Sequence, residues 1–338
     1  MKNTTLMAAG AVLVLGAASA QAATLDDVKA KGFVQCGVTT GLAGFSYTDA
    51  AGDWQGFDVA ICRGMAAAIF NDPKAVRFTP LTAQNRFTAL SAGEIDVLSR
   101  TTTWTFSRDV DLKFTFAGVN YYDGQGFMVP ASLGVKSALE LNGASVCIIT
   151  GTTTELNLAD YFRTNGMKYE PVPVADENTA RETFQAGRCD VFTTDASGLA
   201  ASRANFPNPK DWIILPEIIS KEPLGPLVRQ GDDQWADLVR WTFNVMLNAE
   251  EYGVTQANVD QMAKGTDNPE INRLLGTEGT LGEMLGLTKD FGFRIVKGVG
   301  NYGENFEKYL GTTTPLALER GLNALWTKGG IQYAPPMR

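Results

Sequence analysis

The sequence predicts an α/β fold arranged as two lobes. Segments with strand-like and helix-like patterns alternate along the chain, as in α/β proteins, and the alternation occurs in two series of similar order. The chain has 338 residues, which is more than one small core needs. Its 44% apolar and 20% charged residues form an ordinary globular composition. Two α/β units with a cleft between them account for both the length and the pattern.

The first series begins near the N-terminus. Ile61, Met65 and Ile69 recur at helical spacing, and Gly93 marks the end of a second helix. The predicted elements are a strand at 33–37, a helix at 57–70, a strand at 76–81, a helix at 85–92 and a strand at 95–98.

The second series repeats this order. Thr152 and Glu155 have the spacing of a capping box, which predicts a helix start directly after a strand. Gly187 ends a later helix. The predicted elements are strands at 146–150, 169–174 and 191–194, and helices beginning after 151 and spanning 179–186 and 235–247.

Two segments, 120–130 and 221–229, are the candidate crossings between the lobes. With both crossings, lobe 1 is discontinuous and comprises residues 23–122 and 223–254, while lobe 2 comprises 123–222. Residues 255–338 form a C-terminal extension that we expect to be helical and packed on lobe 1. Loops at strand ends and helix N-termini should line the cleft.

The N-terminus has the pattern of a secretory signal peptide. Lys2 supplies positive charge, 6–18 is an apolar or small-residue run, and Ala20-Gln21-Ala22 precedes a cleavage site. We expect residues 1–22 to be removed, with cleavage after Ala22 or Ala23; a buried N-terminal helix is the alternative. No cysteine follows at once, so a lipid anchor is not indicated. The mature protein should be soluble and periplasmic.

Charge and composition exclude several classes of function. The net charge of −8, with no basic block, makes nucleic acid and anionic membranes poor partners. Histidine is absent, which removes the commonest general base and metal ligand. We therefore predict no metal and no cofactor.

Export would place the four cysteines in an oxidising compartment, where three pairings or four buried thiols are the alternatives. Cys36 lies on the first predicted strand and Cys62 on the following helix. Cys147 and Cys189 lie at the starts of two parallel strands, and neighbouring strands are about 4.8 Å apart. We predict disulfides Cys36–Cys62 and Cys147–Cys189, one in each lobe.

The residue types at the predicted cleft suit a free amino acid. An α-carboxylate needs a guanidinium with hydroxyl donors, preferably at a helix N-terminus, and an α-ammonium needs a carboxylate. Lobe 1 offers Thr101, Thr103 and Arg108, and lobe 2 offers Thr153 and Asp195. Each residue alone has a structural explanation, as a cap, a strand residue or a solvated charge.

Several motifs in the same order resemble family 3 solute-binding proteins, which serve ABC importers of polar amino acids. The resemblance covers about residues 34–253. The long tail and Asn85-Arg86 are similar to the branch that binds general L-amino acids or glutamate, glutamine, aspartate and asparagine. The motifs are Gly-Phe-Asp-Val at 56–59, the run 85–97, Arg108 after a threonine-rich stretch, Gly-Thr-Thr-Thr-Glu at 151–155, and Gly-Arg-Cys-Asp-Val at 187–191 followed by Asp195.

The resemblance implies a two-lobed periplasmic binding protein of type II, with two crossover hinges, and a role for each site residue. Arg108 would clamp the α-carboxylate, Thr101 and Thr103 would hydrogen-bond the carboxylate or the ammonium, and Thr153 would donate from lobe 2. Asp195 would bind the ammonium. Arg86 matches an arginine that faces the side-chain carboxylate in acidic amino acid binders; a helix-surface arginine is the alternative.

At Thr39 this sequence departs from the family pattern. Cationic binders have an acid there and acidic binders an arginine, so the threonine favours a broad or amide-accepting pocket.

The resulting hypothesis is a monomeric periplasmic component of an ABC importer, not an enzyme. It would bind glutamate, glutamine, aspartate, asparagine or a broader set, and deliver the ligand to the permease subunits. The alternatives are a small-acid dehydratase or lyase on the same fold, using Asp195 or Glu94, and a sensing domain.

Overall fold

The computed structural model describes residues 24–338, so the predicted signal peptide at residues 1–22 lies outside the described part. Fourteen strands are described there: β1 Val34–Val38, β2 Tyr47–Thr48, β3 Trp54–Gln55, β4 Val76–Pro80, β5 Val97–Leu98, β6 Phe114–Phe116, β7 Tyr121–Asp123, β8 Gln125–Pro130, β9 Ser145–Ile149, β10 Glu170–Val174, β11 Val191–Asp195, β12 Trp212–Ile214, β13 Glu222–Leu224 and β14 Leu227–Arg229.

The α-helices of the same residues follow the strands in alternation and then dominate the C-terminal part. They are α1 Thr24–Lys31, α2 Phe57–Phe70, α3 Arg86–Ser91, α4 Thr153–Thr164, α5 Glu177–Gln185, α6 Ala196–Ala204, α7 Asp233–Glu251, α8 Val259–Met262, α9 Pro269–Leu275, α10 Leu281–Met284, α11 Phe291–Val299 and α12 Tyr302–Tyr309.

Two five-stranded sheets define the two lobes. Lobe 1 contains the sheet β4-β1-β5-β14-β6, and lobe 2 contains the sheet β10-β9-β11-β8-β12. In each sheet three parallel strands continue into two strands that run antiparallel to their neighbours. The second lobe therefore repeats the strand arrangement of the first, which explains the two similar series in the sequence.

The hinge consists of two crossing strands between the lobes. β7 and β13 form a separate antiparallel pair, with Tyr122 opposite Pro223. Gly225 follows β13 directly, and a Cβ at this position would lie 1.9 Å from the carbonyl oxygen of Gly118. Only glycine allows the second crossing to pass so close to the first.

The C-terminal extension packs on lobe 1. Its helices contribute apolar side chains to the same buried cluster as β1, α2 and α7, and Ile295, Tyr302 and Phe306 are each fully buried. α11 packs directly against α2 and α7. The extension thus shares the core of lobe 1.

Both predicted disulfides are present. Cys36–Cys62 joins β1 to α2, and Cys147–Cys189 joins β9 to the residues just before β11, with Cα atoms 6.3 and 5.6 Å apart. Each bridge lies within one lobe.

The predicted capping box at the start of α4 is wrong. The Thr152 hydroxyl donates to the carbonyl of Ile149 at 2.7 Å and caps no backbone N–H of the helix. The Glu155 carboxylate accepts from the backbone of Gly151 at 3.2 Å, one residue before the expected N-cap. Gly151 has a φ of 78°, so the chain turns just before Thr152. The N–H that reaches the Glu155 carboxylate is therefore that of Gly151 and not that of Thr152.

Among residues 24–338, no helix combines the length and the apolar character needed to cross a bilayer.

Candidate ligand-binding site

A narrow cleft lies between the lobes. Most of its lining residues are polar or charged, and they come from both lobes. The lining residues are Leu42, Arg86, Arg100, Thr101, Thr103, Ile149, Thr152, Thr153, Thr154, Glu177, Thr194, Asp195, Ser197, Gly198 and Ser202. Five of the six predicted ligand contacts are therefore brought together, namely Arg86, Thr101, Thr103, Thr153 and Asp195.

Arg108, the sixth, is buried near the cleft and is not part of its lining. Its Nη1 donates to the carbonyl of Thr103 at 2.8 Å, and its guanidinium lies over the ring of Phe87. Burial lowers the pKa of Arg108 to about 10, although Glu222 and Asp195 oppose this shift. The structure thus places this cation next to a lining threonine and close to two carboxylates.

Arg86 begins α3 and is almost completely buried, with 2% of the residue exposed. Its Nη1 makes a long hydrogen bond of 3.5 Å to Thr102, and its buried Nε has no partner among the described residues. Burial, together with the charges of Arg100 and Arg108, lowers the pKa of Arg86 well below its usual value. A guanidinium held in this way gains from an anion or another strong acceptor.

Asp195 ends β11 and lines the cleft at the N-terminus of α6, but its side chain caps no backbone N–H of that helix. Burial raises the pKa of Asp195 well above its usual value, and the carboxylates of Asp123 and Glu222 raise it further. A cation next to Asp195 would stabilise its ionised form.

Glu222 of the hinge strand β13 connects the lobes and was missed in the sequence. Its Oε2 accepts from the hydroxyls of Thr103 at 2.6 Å and Thr153 at 2.8 Å, which lie in lobes 1 and 2. Its Oε1 accepts from Asn157 at 2.7 Å and from Ser220 at 2.6 Å. The carboxylate is buried and fully bonded, so it fixes one threonine from each side of the cleft.

Two further contacts cross the cleft. Arg100 Nη2 pairs with Glu177 Oε1 at 3.3 Å, and Gln84 Nε2 donates to the Thr150 hydroxyl at 2.7 Å. The other Glu177 oxygen, Oε2, is buried and has no partner among residues 24–338. Arg100 and Glu177 were also missed, although Arg100 directly precedes the threonines and Glu177 occupies the first turn of a predictable helix.

Thr39 and Trp104 are outside the cleft lining. The Thr39 hydroxyl is buried against that of Ser46 at 2.7 Å. Trp104 stacks on Phe116 with ring centroids 5.4 Å apart. Leu42, three residues after Thr39, lines the cleft and contributes apolar surface there.

The fold and the site define a two-lobed ligand-binding protein. Residues 34–258 match the model of the bacterial extracellular solute-binding proteins, family 3, and the chain belongs to this family. It is accordingly a solute-binding protein, not an enzyme.

Several relatives match the whole chain or nearly so, among them the following three. The general L-amino acid-binding periplasmic protein AapJ of Rhizobium johnstonii is 60% identical and the glutamate/glutamine/aspartate/asparagine-binding protein BztA of Rhodobacter capsulatus is 57% identical, each over the full length of both chains. A periplasmic binding protein of an ABC transporter from Brucella ovis, solved with glutathione bound, is 59% identical with a TM-score of 0.91; the match covers 94% of this chain and all of that one.

Proposed function

We propose that this protein is the periplasmic binding component of an ABC importer and holds one free L-amino acid between its lobes. The observation that carries the proposal is the charge pattern of the cleft. Arg86, a buried arginine with an unused donor, lines the same space as Asp195, whose carboxylate caps no helix. A zwitterion supplies both missing charges at once.

Each predicted residue keeps a role in this proposal. Arg108 binds the α-carboxylate with the guanidinium nitrogens that Thr103 does not use, assisted by Thr101. Asp195 binds the α-ammonium, and Thr103 and Thr153 contact the ligand from the two lobes. Arg86 faces the side chain of the ligand.

The side-chain end of the cleft supports acceptance of both acids and amides. Arg86 offers an unpaired donor, and Glu177 offers an unpaired acceptor oxygen in the same lining. A carboxamide satisfies both groups, and a carboxylate satisfies Arg86. The names of AapJ and BztA agree with this range. Glutathione belongs in the same test, because its glutamyl end carries a free α-amino acid group.

We also propose the boundaries of the lobes, their closure around the ligand and the oligomeric state. The lobes comprise residues 23–122 with 223–254, and 123–222, and they close by hinge bending around one ligand. The protein acts as a monomer in the periplasm after cleavage near Ala22, and delivers the ligand to the permease subunits.

The test is calorimetric titration of refolded, ligand-free protein with each amino acid and with glutathione. Refolding removes ligand retained during purification. We expect saturable binding of one ligand per chain, strongest for glutamate, glutamine, aspartate or asparagine. Asp195→Asn is the matched control and should abolish binding of all of them. Wild-type protein that is folded but binds none of these compounds would overturn the proposal.

A further inference from the structure

The hinge is wider than its two crossing strands. On the outer side of β13, Thr103 forms a bridge to Leu224, and Trp104 N donates to the carbonyl of Pro223 at 2.8 Å. The order across the hinge is therefore the Thr103–Trp104 segment, β13 and β7. The segment that contains Thr103, a proposed ligand contact, is thus hydrogen-bonded directly to the hinge strand β13.

The outer edge of β7 is covered by the C-terminal extension. The carboxamide of Asn323 accepts from Tyr122 N at 2.7 Å and donates to Tyr122 O at 3.0 Å. These two bonds are the ones that a neighbouring strand would make, and Asn323 is 3% exposed. The Asn323 side chain therefore takes the place of a further strand at the outer edge of β7.

Two more residues of the extension bind the chain just before β7. The Tyr302 hydroxyl donates to Asn120 O at 2.9 Å, and Gln332 Nε2 donates to Val119 O at 3.1 Å. Both side chains are buried. We call Tyr302, Asn323 and Gln332 the hinge brace.

The brace is itself held rigidly on lobe 1. Arg320 lies over the rings of Tyr302 and Phe306 and pairs with Glu250 of α7 at 3.0 Å. The same apolar cluster also contains Ala201 from α6 of lobe 2, fully buried. Lobe 2 thus packs on the same apolar cluster that holds the extension.

We propose that the hinge brace positions β7 on lobe 1 and thereby stabilises the closed arrangement of the lobes, with Asn323 as its central positioning residue. The proposal rests on the proposed function. Without the brace, the backbone of β7 loses both hydrogen bonds to Asn323 and the hinge bends more freely, so a bound ligand escapes faster. Because the brace lines no part of the cleft, its loss changes the affinity for every ligand by a common factor.

The test compares Asn323→Ala with Asn305→Ala. Asn305 is an equally buried asparagine of the extension whose amide donates two hydrogen bonds within the extension, to Val299 O and Asn301 O, and none to the hinge strands. Both variants should lose similar thermal stability. Only Asn323→Ala should weaken binding, by about tenfold for each ligand that the wild type binds, with most of the change in the dissociation rate.

The readouts are calorimetric affinity, the dissociation rate by stopped-flow exchange, and the radius of gyration with and without ligand. Equal binding by the two variants would contradict the proposed role of the brace, and so would a change in the ratio of affinities between ligands. If Asn323→Ala does not fold, Gln332→Ala replaces it in the comparison with Asn305→Ala, and the same outcomes are expected. A wild type that binds no amino acid contradicts the proposed function instead, so the two failures are distinguishable.

Discussion

Arg108 is buried beside the cleft, and one of its guanidinium nitrogens is bonded to Thr103 O. We expect Arg108→Ala to weaken binding of all amino acids to a similar degree, since every one has an α-carboxylate. The loss should be about 2–5 kcal/mol, as for one partner of a buried charge pair. Calorimetric titration measures it, with the exposed Arg188→Ala as the control. Near-normal affinity in Arg108→Ala would remove this residue from the site.

Arg86 should act on selectivity. If it faces the ligand side chain, Arg86→Ala weakens glutamate and aspartate more than alanine or leucine, because only the acids lose a charged partner. The ratio of the affinities for glutamate and leucine is the quantity to compare between variant and wild type. An equal loss for all ligands contradicts this role and would place Arg86 with Arg108 in the carboxylate clamp.

Sequence motifs predicted residues that the structure brings to one cleft, and their contact with a ligand stays a prediction. Arg86, Thr101, Thr103, Thr153 and Asp195 line one cleft, as expected from strand ends and helix starts. Arg100, Glu177 and Glu222 could not be identified, because their partners in the cleft are distant along the chain. Glu222 is 119 positions from Thr103 and 69 from Thr153, and Arg100 is 77 positions from Glu177. Their roles depend on how the lobes meet, which no local pattern encodes.

Among the secondary-structure elements, periodicity predicted the central strands and the long helices to within a few residues. The strand predicted at 33–37 is β1 Val34–Val38, and the helix predicted at 179–186 is α5 Glu177–Gln185. The short helices α8 and α10 have only four residues each, too few for a repeating apolar pattern. The extension was therefore predicted as helical without its individual helices.

The disulfides allow a test at the level of these elements. Replacing both Cys147 and Cys189 by serine should lower the free energy of unfolding by about 4 kcal/mol, because the bridge closes a loop of roughly 40 residues in the unfolded chain. Chemical denaturation measures this loss. Ligand affinity should stay within about twofold, since the bridge lies inside lobe 2 and leaves the hinge unrestrained.

The Cys36→Ser, Cys62→Ser double variant is the matched case in lobe 1. Its loss of stability should be slightly smaller, because the sequence separation is 26 instead of 42. If either double variant is folded but binds the ligand much more weakly, the prediction that ligand affinity does not depend on the disulfides is wrong.

For the whole molecule, buried carboxyl groups with raised pKa values make stability depend on pH without histidine; besides Asp195 they are Asp58 and Asp123. Burial raises the pKa of Asp58 to about 6 and that of Asp123 to about 6, from 3.8 in an ordinary aspartate. The folded protein therefore binds these protons more tightly than the unfolded chain. Their stabilising contribution is complete below pH 4 and is lost as the pH rises through 6.

We expect the ligand-free protein to be more stable at pH 5 than at pH 7, by on the order of 2 kcal/mol. Chemical denaturation across this interval measures the difference. Asp58→Asn should reduce the slope without abolishing it, whatever its effect on the absolute stability, because the buried carboxyl groups of Asp123 and Asp195 remain. A slope that is flat or of opposite sign in the wild type would contradict the raised pKa values of both groups.

Glu222 also determines which way two O–H bonds point when the lobes are together. A hydroxyl has one hydrogen, and those of Thr103 and Thr153 are both directed at the same carboxylate oxygen. Each threonine oxygen therefore has only lone pairs left for a ligand. Both threonines, including Thr153, which was expected to donate, become acceptors at the point where the lobes meet. This part of the cleft should orient the ligand by attracting its N–H hydrogens, so that the ammonium group lies near the hinge.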